Sequence, residues 1–365
     1  MLIYILTGLL VSISLKNYEE LNLNRLVTKK FDMLKMLYKN VAVLTLVIIF
    51  GIRDFSVGTD TESYRYIFNI LGKDIELSSS EYEIGFSFLS IVINKIFNNF
   101  SIFLLLLGLI MYWNIISGIC QISKVPSISV MCYFCLRLYA QSFNLLRQYL
   151  ALSFCLIALV YLIKNNSNAG FIVYVLMGFL FHKSAILFLI VLPLKYIKFN
   201  YKTIIISVVC SVLAIIFLPN IIKGFDNITG SNYYKYIKIE SSFFSISNIL
   251  TIFVMICSVL LILLNIKKIE KNTTTFKEYN LFANMFLIFV CVFIISNFSI
   301  PLVNRISIYF QPSILFLVPM IICSFKKLEL RKIKTICFVI FVVLTIVILK
   351  LEGAYDTLPY TIIFN

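Results

Sequence analysis

Runs of apolar residues, several of them about twenty long, recur from one end of this chain to the other, and segments of that length are suited to cross a bilayer. In hydrocarbon every backbone N–H and C=O must be satisfied without water, so long apolar runs lacking a two-residue alternation predict α-helices. The runs lie around 2–15, 34–52, 100–119, 128–143, 144–163, 170–181, 184–194, 203–222, 246–266, 281–298, 306–325 and 335–349. They predict an all-α fold: a polytopic integral membrane helical bundle of about 12 transmembrane helices. With 61% hydrophobic residues, 13% charged ones and a mean hydropathy of +0.97, water is not the solvent of such a fold. The polar stretches reach about thirty residues at most, too few for a core of their own. One membrane domain over 1–365 is expected, with outer loops at 53–83 and 223–245. The run from Leu2 to Leu15 lacks a basic segment before it and a small-residue cleavage site after it, so it is expected to stay as a short first helix.

The net charge of +15 raises the question of a nucleic-acid partner, and its distribution answers it. Basic residues fall in short clusters between apolar runs, as in cytoplasmic loops facing anionic lipid, so nucleic acid is excluded and the lipid bilayer is the expected partner. Residues 16–39, 120–127, 164–168, 195–202, 267–280 and 326–334 carry 20 basic and 6 acidic side chains, while the remaining loops carry 11 of each. The positive-inside rule puts the first set in the cytoplasm and residues 53–83, with seven acids and three bases, outside. This parity requires 84–97, fourteen residues including Asn94 and Lys95, to lie along the interface.

Nine cysteines sit nearly all within apolar runs, where a thiol is a small hydrophobe. Cys132 and Cys135 form a C-x-x-C without a second pair or neighbouring histidines, and are read as packing residues. No metal site and no cofactor is expected. Two-half symmetry of the kind found in many secondary transporters is not visible in the runs.

Under this topology four polar groups face outward. The first is Arg53-Asp54-Phe55-Ser56-Val57-Gly58-Thr59-Asp60-Thr61, followed by Tyr64. Its carboxylates can hold sugar hydroxyls while Arg53 meets phosphate, or its charges form an interfacial ion pair around a turn at Gly58. Asn144, Arg147 and Gln148 open a membrane helix, where the arginine either snorkels to headgroups or points inward at an anion. His182, the sole histidine, lies between two short apolar runs: it is a base, a cation for a departing phosphate, or a hairpin tip. Arg305 precedes Tyr309 by four residues, the spacing of a shared helix face. Arg137 is either a further cation or paired with a buried carbonyl. The tyrosines at 233–236 are read as an interfacial belt.

At these residues the chain resembles the EpsG family, relatives of Wzy-type polysaccharide polymerases. The matching elements are Arg53-Asp54-x-x-Val57-Gly58-Thr59-Asp60-Thr61-x-x-Tyr64, Glu83-x-Gly85-Phe86, Asn144-x-x-Arg147-Gln148-x-x-Ala151, Phe181-His182-x-Ser184-Ala185 and Arg305-x-x-x-Tyr309. The resemblance implies a fold related to membrane glycosyltransferases, and a polymerase that joins undecaprenyl-diphosphate-linked oligosaccharide repeat units into a capsular, exopolysaccharide or O-antigen chain, located in a bacterial plasma membrane with its active face extracytoplasmic. Other polysaccharide export proteins are partners it leaves room for. Joining such units needs a base and cations for the growing charge on the leaving diphosphate. The expected assignment is Arg147 and Arg305, with Gln148 and Tyr309 beside them, for the diphosphate, and His182 for the base or the leaving-group contact. Asp60 with Arg53 and Asp54 would position the sugar, and Glu83 and Asp60 are rival bases. The alternatives are a ligase or acyltransferase acting on the same lipid, or a flippase for it.

Overall fold

The computed structural model describes residues 2–23, 29–73, 82–229, 246–269, 273–298, 303–325 and 357–363, with isolated positions 335, 339 and 343. The tyrosines at 233–236 and most of the run at 335–349 lie outside them. The described residues are helical apart from turns and one antiparallel bridge between Arg53 and Ile362. They divide into two compact units, Met1–Leu189 with Val318–Asn365, and Ile190–Leu317.

The first unit begins with α1 (Leu2–Leu23), which continues past its apolar run through Lys16, Glu19 and Glu20, and α2 (Lys29–Gly51). The loop after α2 carries a helix, α3 (Thr61–Leu71). Residues 84–97 form α4 (Ile84–Phe97), which ends where Asn98 turns left-handed at φ 45°. Asn99 caps α5 (Phe100–Ile122) by accepting the Ile102 N–H at 3.1 Å. The single run expected at 128–143 is two helices, α6 (Pro126–Cys135) and α7 (Leu138–Asn144). The break falls at Arg137, whose φ of 61° no α-helix accommodates. A second break at Leu145 precedes α8 (Leu146–Ile163), and Ser167 caps α9 (Asn168–Phe179) through the Gly170 N–H. A 3-10 helix, Lys183–Ile190, follows a turn that contains His182.

Helices packed in lipid gain little from excluding water and are held by close contact and hydrogen bonds. α8 and α9 approach closely: a β-carbon on Gly178 would stand 2.9 Å from the Ala151 carbonyl oxygen. Between α5 and α8, Asn114 donates to Ser153 at 3.3 Å.

The second unit holds α10 (Val191–Leu194), α11 (Tyr201–Thr229), α12 (Ile246–Ile269), α13 (Thr273–Phe298) and α14 (Asn304–Ser307), while α15 (Ser313–Ile322) runs across the division between units. The apolar part of α11 ends at Gly224 and the helix itself at Thr229, so the first residues of the expected outer loop at 223–245 are helical, and 230–245 lie outside the described residues. α13 is the axis of this unit. Tyr279 donates to the Ile262 carbonyl of α12 at 2.7 Å, and Asn284 to the Ile197 carbonyl at 2.7 Å.

Five of the described helices are long and apolar enough to cross a membrane: α2, α5, α8, α11 and α13. The expected number was about 12. The runs at 170–181 and 184–194 became a 12-residue α-helix and short 3-10 and α segments, because the chain turns at Leu180 to Lys183 instead of continuing.

Candidate functional site

Three segments far apart in sequence meet at the start of α8. Arg147 stands in the first turn of that helix, Glu83 directly precedes α4, and His182 follows α9. Glu83 uses both carboxylate oxygens: Arg147 Nη1 donates to Oε2 at 2.5 Å, and His182 Nδ1 lies 2.9 Å from Oε1. The Glu83 side chain is 9% exposed, against 26% for Arg147 and 21% for His182, so the acid forms the floor and the two bases reach toward solvent.

Burial is the largest influence on Glu83 and pushes its pKa up, but the hydrogen bond from His182 and the Arg147 charge together outweigh it and hold the carboxyl at about 2. Glu83 is therefore ionised, and an ionised carboxylate only accepts. Nδ1 of His182 must carry its proton, which leaves Nε2 as the free acceptor of a neutral ring.

The backbone explains how these groups are registered. Gly85 donates its N–H to the Leu180 carbonyl at 2.8 Å, and a β-carbon on Gly85 would lie 2.8 Å from that same oxygen. Residue 85 has to be glycine for α4 to approach the α9 turn. His182 is fixed from behind by its own N–H to the Gly178 carbonyl and by the Ala185 N–H to the His182 carbonyl, each 3.0 Å. Phe181 stacks on Phe154 of α8 with centroids 5.4 Å apart and planes 3° from parallel.

Aromatic rings wall the cluster. The Arg147 guanidinium lies 5.2 Å from the Tyr82 ring centre and 5.8 Å from that of Phe86. Tyr64 of α3 packs on Phe86 at 6.0 Å and accepts a hydrogen bond from Arg147; burial raises its pKa. Nε of Arg147 is buried without a hydrogen-bond partner.

The first motif lies beside this cluster and has a different part. Arg53, expected to meet phosphate, is fully buried. Its guanidinium donates to the Phe50 carbonyl at 2.9 Å and the Phe143 carbonyl at 3.2 Å, and it sits 4.2 and 4.5 Å from the ring centres of the same residues. Tyr4 and Tyr360 close over it, with Tyr360 donating to Ile49 and Tyr4 to the Thr357 carbonyl at 3.0 Å. Burial lowers the Arg53 pKa to about 10. Enclosed in this way, it cannot reach a sugar or a phosphate: it fastens the end of α2 to α7 and the C-terminal segment.

Asp54 is partly exposed and accepts from the N–H and hydroxyl of Ser56 at 2.9 and 2.7 Å, bonds that lower its pKa. Gly58 turns the chain at φ 98°, with Asn144 Oδ1 where a β-carbon would stand, and the same oxygen accepts the Asp60 N–H at 3.4 Å. Asp60 begins α3 one turn before Tyr64 and is not joined to Glu83, Arg147 or His182 by a hydrogen bond. Gln148 is buried in α8.

Arg305 and Tyr309 belong to the second unit. The shared helix face expected of them does not form: α14 ends at Ser307, Tyr309 continues as a turn through its N–H to Ile306, and it is buried while Arg305 is exposed. The pairing of Glu83 with Arg147 is the relation that sequence reasoning missed. Its one signal was an acid and a base in separate short motifs.

No curated protein and no solved structure matches the chain. A model of the EpsG family matches residues 36–362, a stretch that contains the Glu83, Arg147 and His182 cluster and all five motif elements. The chain belongs to the EpsG family.

Proposed function

We propose that this protein is a polysaccharide polymerase that joins oligosaccharide repeat units carried on undecaprenyl diphosphate, at the outer face of the plasma membrane. Membership of the EpsG family supports a polysaccharide polymerase-like activity in a helical membrane protein. The observation that carries the finer reading is the single carboxylate held between an arginine and a histidine in a partly open, aromatic-walled site.

In the proposed reaction a hydroxyl of the acceptor sugar attacks the anomeric carbon of the donor. A carbon–oxygen bond forms there as the bond to the diphosphate oxygen breaks, and the lipid diphosphate leaves with the electron pair. Nε2 of His182 takes the hydroxyl proton, while Glu83 keeps the ring in the required tautomer and stabilises the imidazolium that results. Glu83 is a poor base itself, because a carboxyl with a pKa of about 2 gives a proton up far more readily than it takes one. The Arg147 guanidinium, anchored on Glu83 and Tyr64, meets the growing phosphate charge with the N–H groups that those contacts leave at its exposed edge. Tyr82, half-buried at the rim, offers a ring face to a sugar, and the buried Phe86 packs beneath it.

The test is reconstitution of the purified protein with purified lipid-linked repeat units. A ladder of products is expected, lost in Arg147→Ala and His182→Gln. One added unit without a ladder would favour a ligase, and transport without new glycosidic bonds a flippase. Sidedness is tested separately: an impermeant thiol reagent should reach a cysteine at position 62 from outside and one at 332 only after lysis.

A further inference from the structure

The first unit contains a second polar site, remote from the first. Along α8, Arg147 and Tyr161 are separated by about 21 Å of helix axis at the usual rise. At the Tyr161 end a cavity of about 350 Å³ opens between α2, α5, α8 and α9. Lys39, Trp113, Asn114, Gln121, Tyr161 and Asn165 are among its lining. The Lys39 ammonium lies 4.1 Å from the centre of the Trp113 ring, and among the described residues no carboxylate pairs with it. Tyr161 and Tyr174 stack at 4.8 Å on the opposite wall.

A cation and several amides that line one cavity, at the helix ends where the charge pattern puts the membrane edge, suit a polar ligand better than an acyl chain. The donor set narrows the ligand. One ammonium suits one negative charge, whereas a diphosphate calls for more than one cation. Amide groups suit hydroxyls on the same headgroup. Lys29, Lys30 and Lys35 precede Lys39 on α2, so the cavity opens at the basic end of that helix, the end that attracts anionic lipid.

We propose that this cavity binds the headgroup of an anionic phospholipid, a phosphodiester that carries free hydroxyls, at a site separate from the Glu83 cluster. Lys39 meets the phosphate, the amides of α5 meet the hydroxyls, and the rings enclose the glycerol.

Trp113 is the sole tryptophan of the chain, so its fluorescence reports on this cavity. The detergent-solubilised protein is titrated with dioctanoyl phosphatidylglycerol, dioctanoyl phosphatidylcholine, inorganic phosphate and a short isoprenyl diphosphate. A saturable change with phosphatidylglycerol alone is expected. Lys39→Met should weaken it about tenfold, the loss given by one charge-assisted hydrogen bond. Lys39→Arg should retain it, which separates a lost contact from a misfolded variant. Four results would overturn the proposal: an equal response to phosphatidylcholine, a response to inorganic phosphate alone, tighter binding of the isoprenyl diphosphate, or undiminished affinity in Lys39→Met.

Discussion

Gly85 and Leu180 meet backbone to backbone, N–H to carbonyl at 2.8 Å, and this contact sets the distance between Glu83 and His182 two residues away on either side. Gly85→Ala would force a β-carbon to 2.8 Å from the Leu180 oxygen. The start of α4 must then retreat, at a cost of about 1–3 kcal/mol. Polymer should disappear while the protein still inserts, as read by product ladder and thermal unfolding; a normal ladder would show that the register is not needed.

Glu83→Gln removes the charge and keeps the shape. The carboxyl titrates at about 2 in the fold against an ordinary 4.5. As pH falls, the unfolded chain takes up this proton first, so the stabilisation is complete above about 4.5 and drains away between there and about 2. Wild-type protein should lose thermal stability over that window and Glu83→Gln should lack this component. Parallel curves for the two would disprove the ion-pair geometry.

His182→Gln keeps a polar side chain that cannot cycle a proton, and turnover should fall by about two to four orders of magnitude. Glu83, held at about 2, cannot take over the proton in its place. Near-normal turnover would leave His182 as a turn residue and pass the base role to Asp60.

For Arg147 the informative pair is alanine and lysine. Alanine should cost about a hundredfold or more in rate. Lysine should recover little, since one ammonium cannot hold Glu83 and a phosphate in a plane. Full activity of Arg147→Ala in the reconstituted system would reject the cation assignment.

Arg53→Met tests a structural arginine. With the guanidinium gone, the carbonyls of Phe50 and Phe143 lose their donor, and stability should drop by about 3 kcal/mol. Yield of folded protein should fall while the molecules that fold still polymerise. Unchanged yield with no polymer would return Arg53 to substrate contact.

The helical membrane character was plain in the apolar runs, and the turn at His182 was visible as a polar interruption between two of them. Residues 84–97, set apart in the sequence as too short and polar to be a clear span, form one helix flanked by Glu83 and Asn98. The contacts that make the site were not legible, because Glu83 lies 64 residues from Arg147 and 99 from His182, and no local periodicity records such a pairing. Arg53 was misread for a related reason. An arginine after an apolar run looks exposed, and what covers it comes from Tyr4 and Tyr360, near opposite ends of the chain. The break at Arg137 left no mark either, since leucines flank it and the composition stays apolar.

The contact between Gly178 and the Ala151 carbonyl has a consequence for how substrate can arrive. One turn along α9 from Gly178, about 5.4 Å away, the positions on the same face are Tyr174, Val175, Phe181 and His182, and each bears a side chain. A one-turn shift of α9 along α8 is therefore blocked at that oxygen, and Arg147, at the start of α8, keeps its spacing from His182, just past α9, when a bulky lipid-linked sugar arrives.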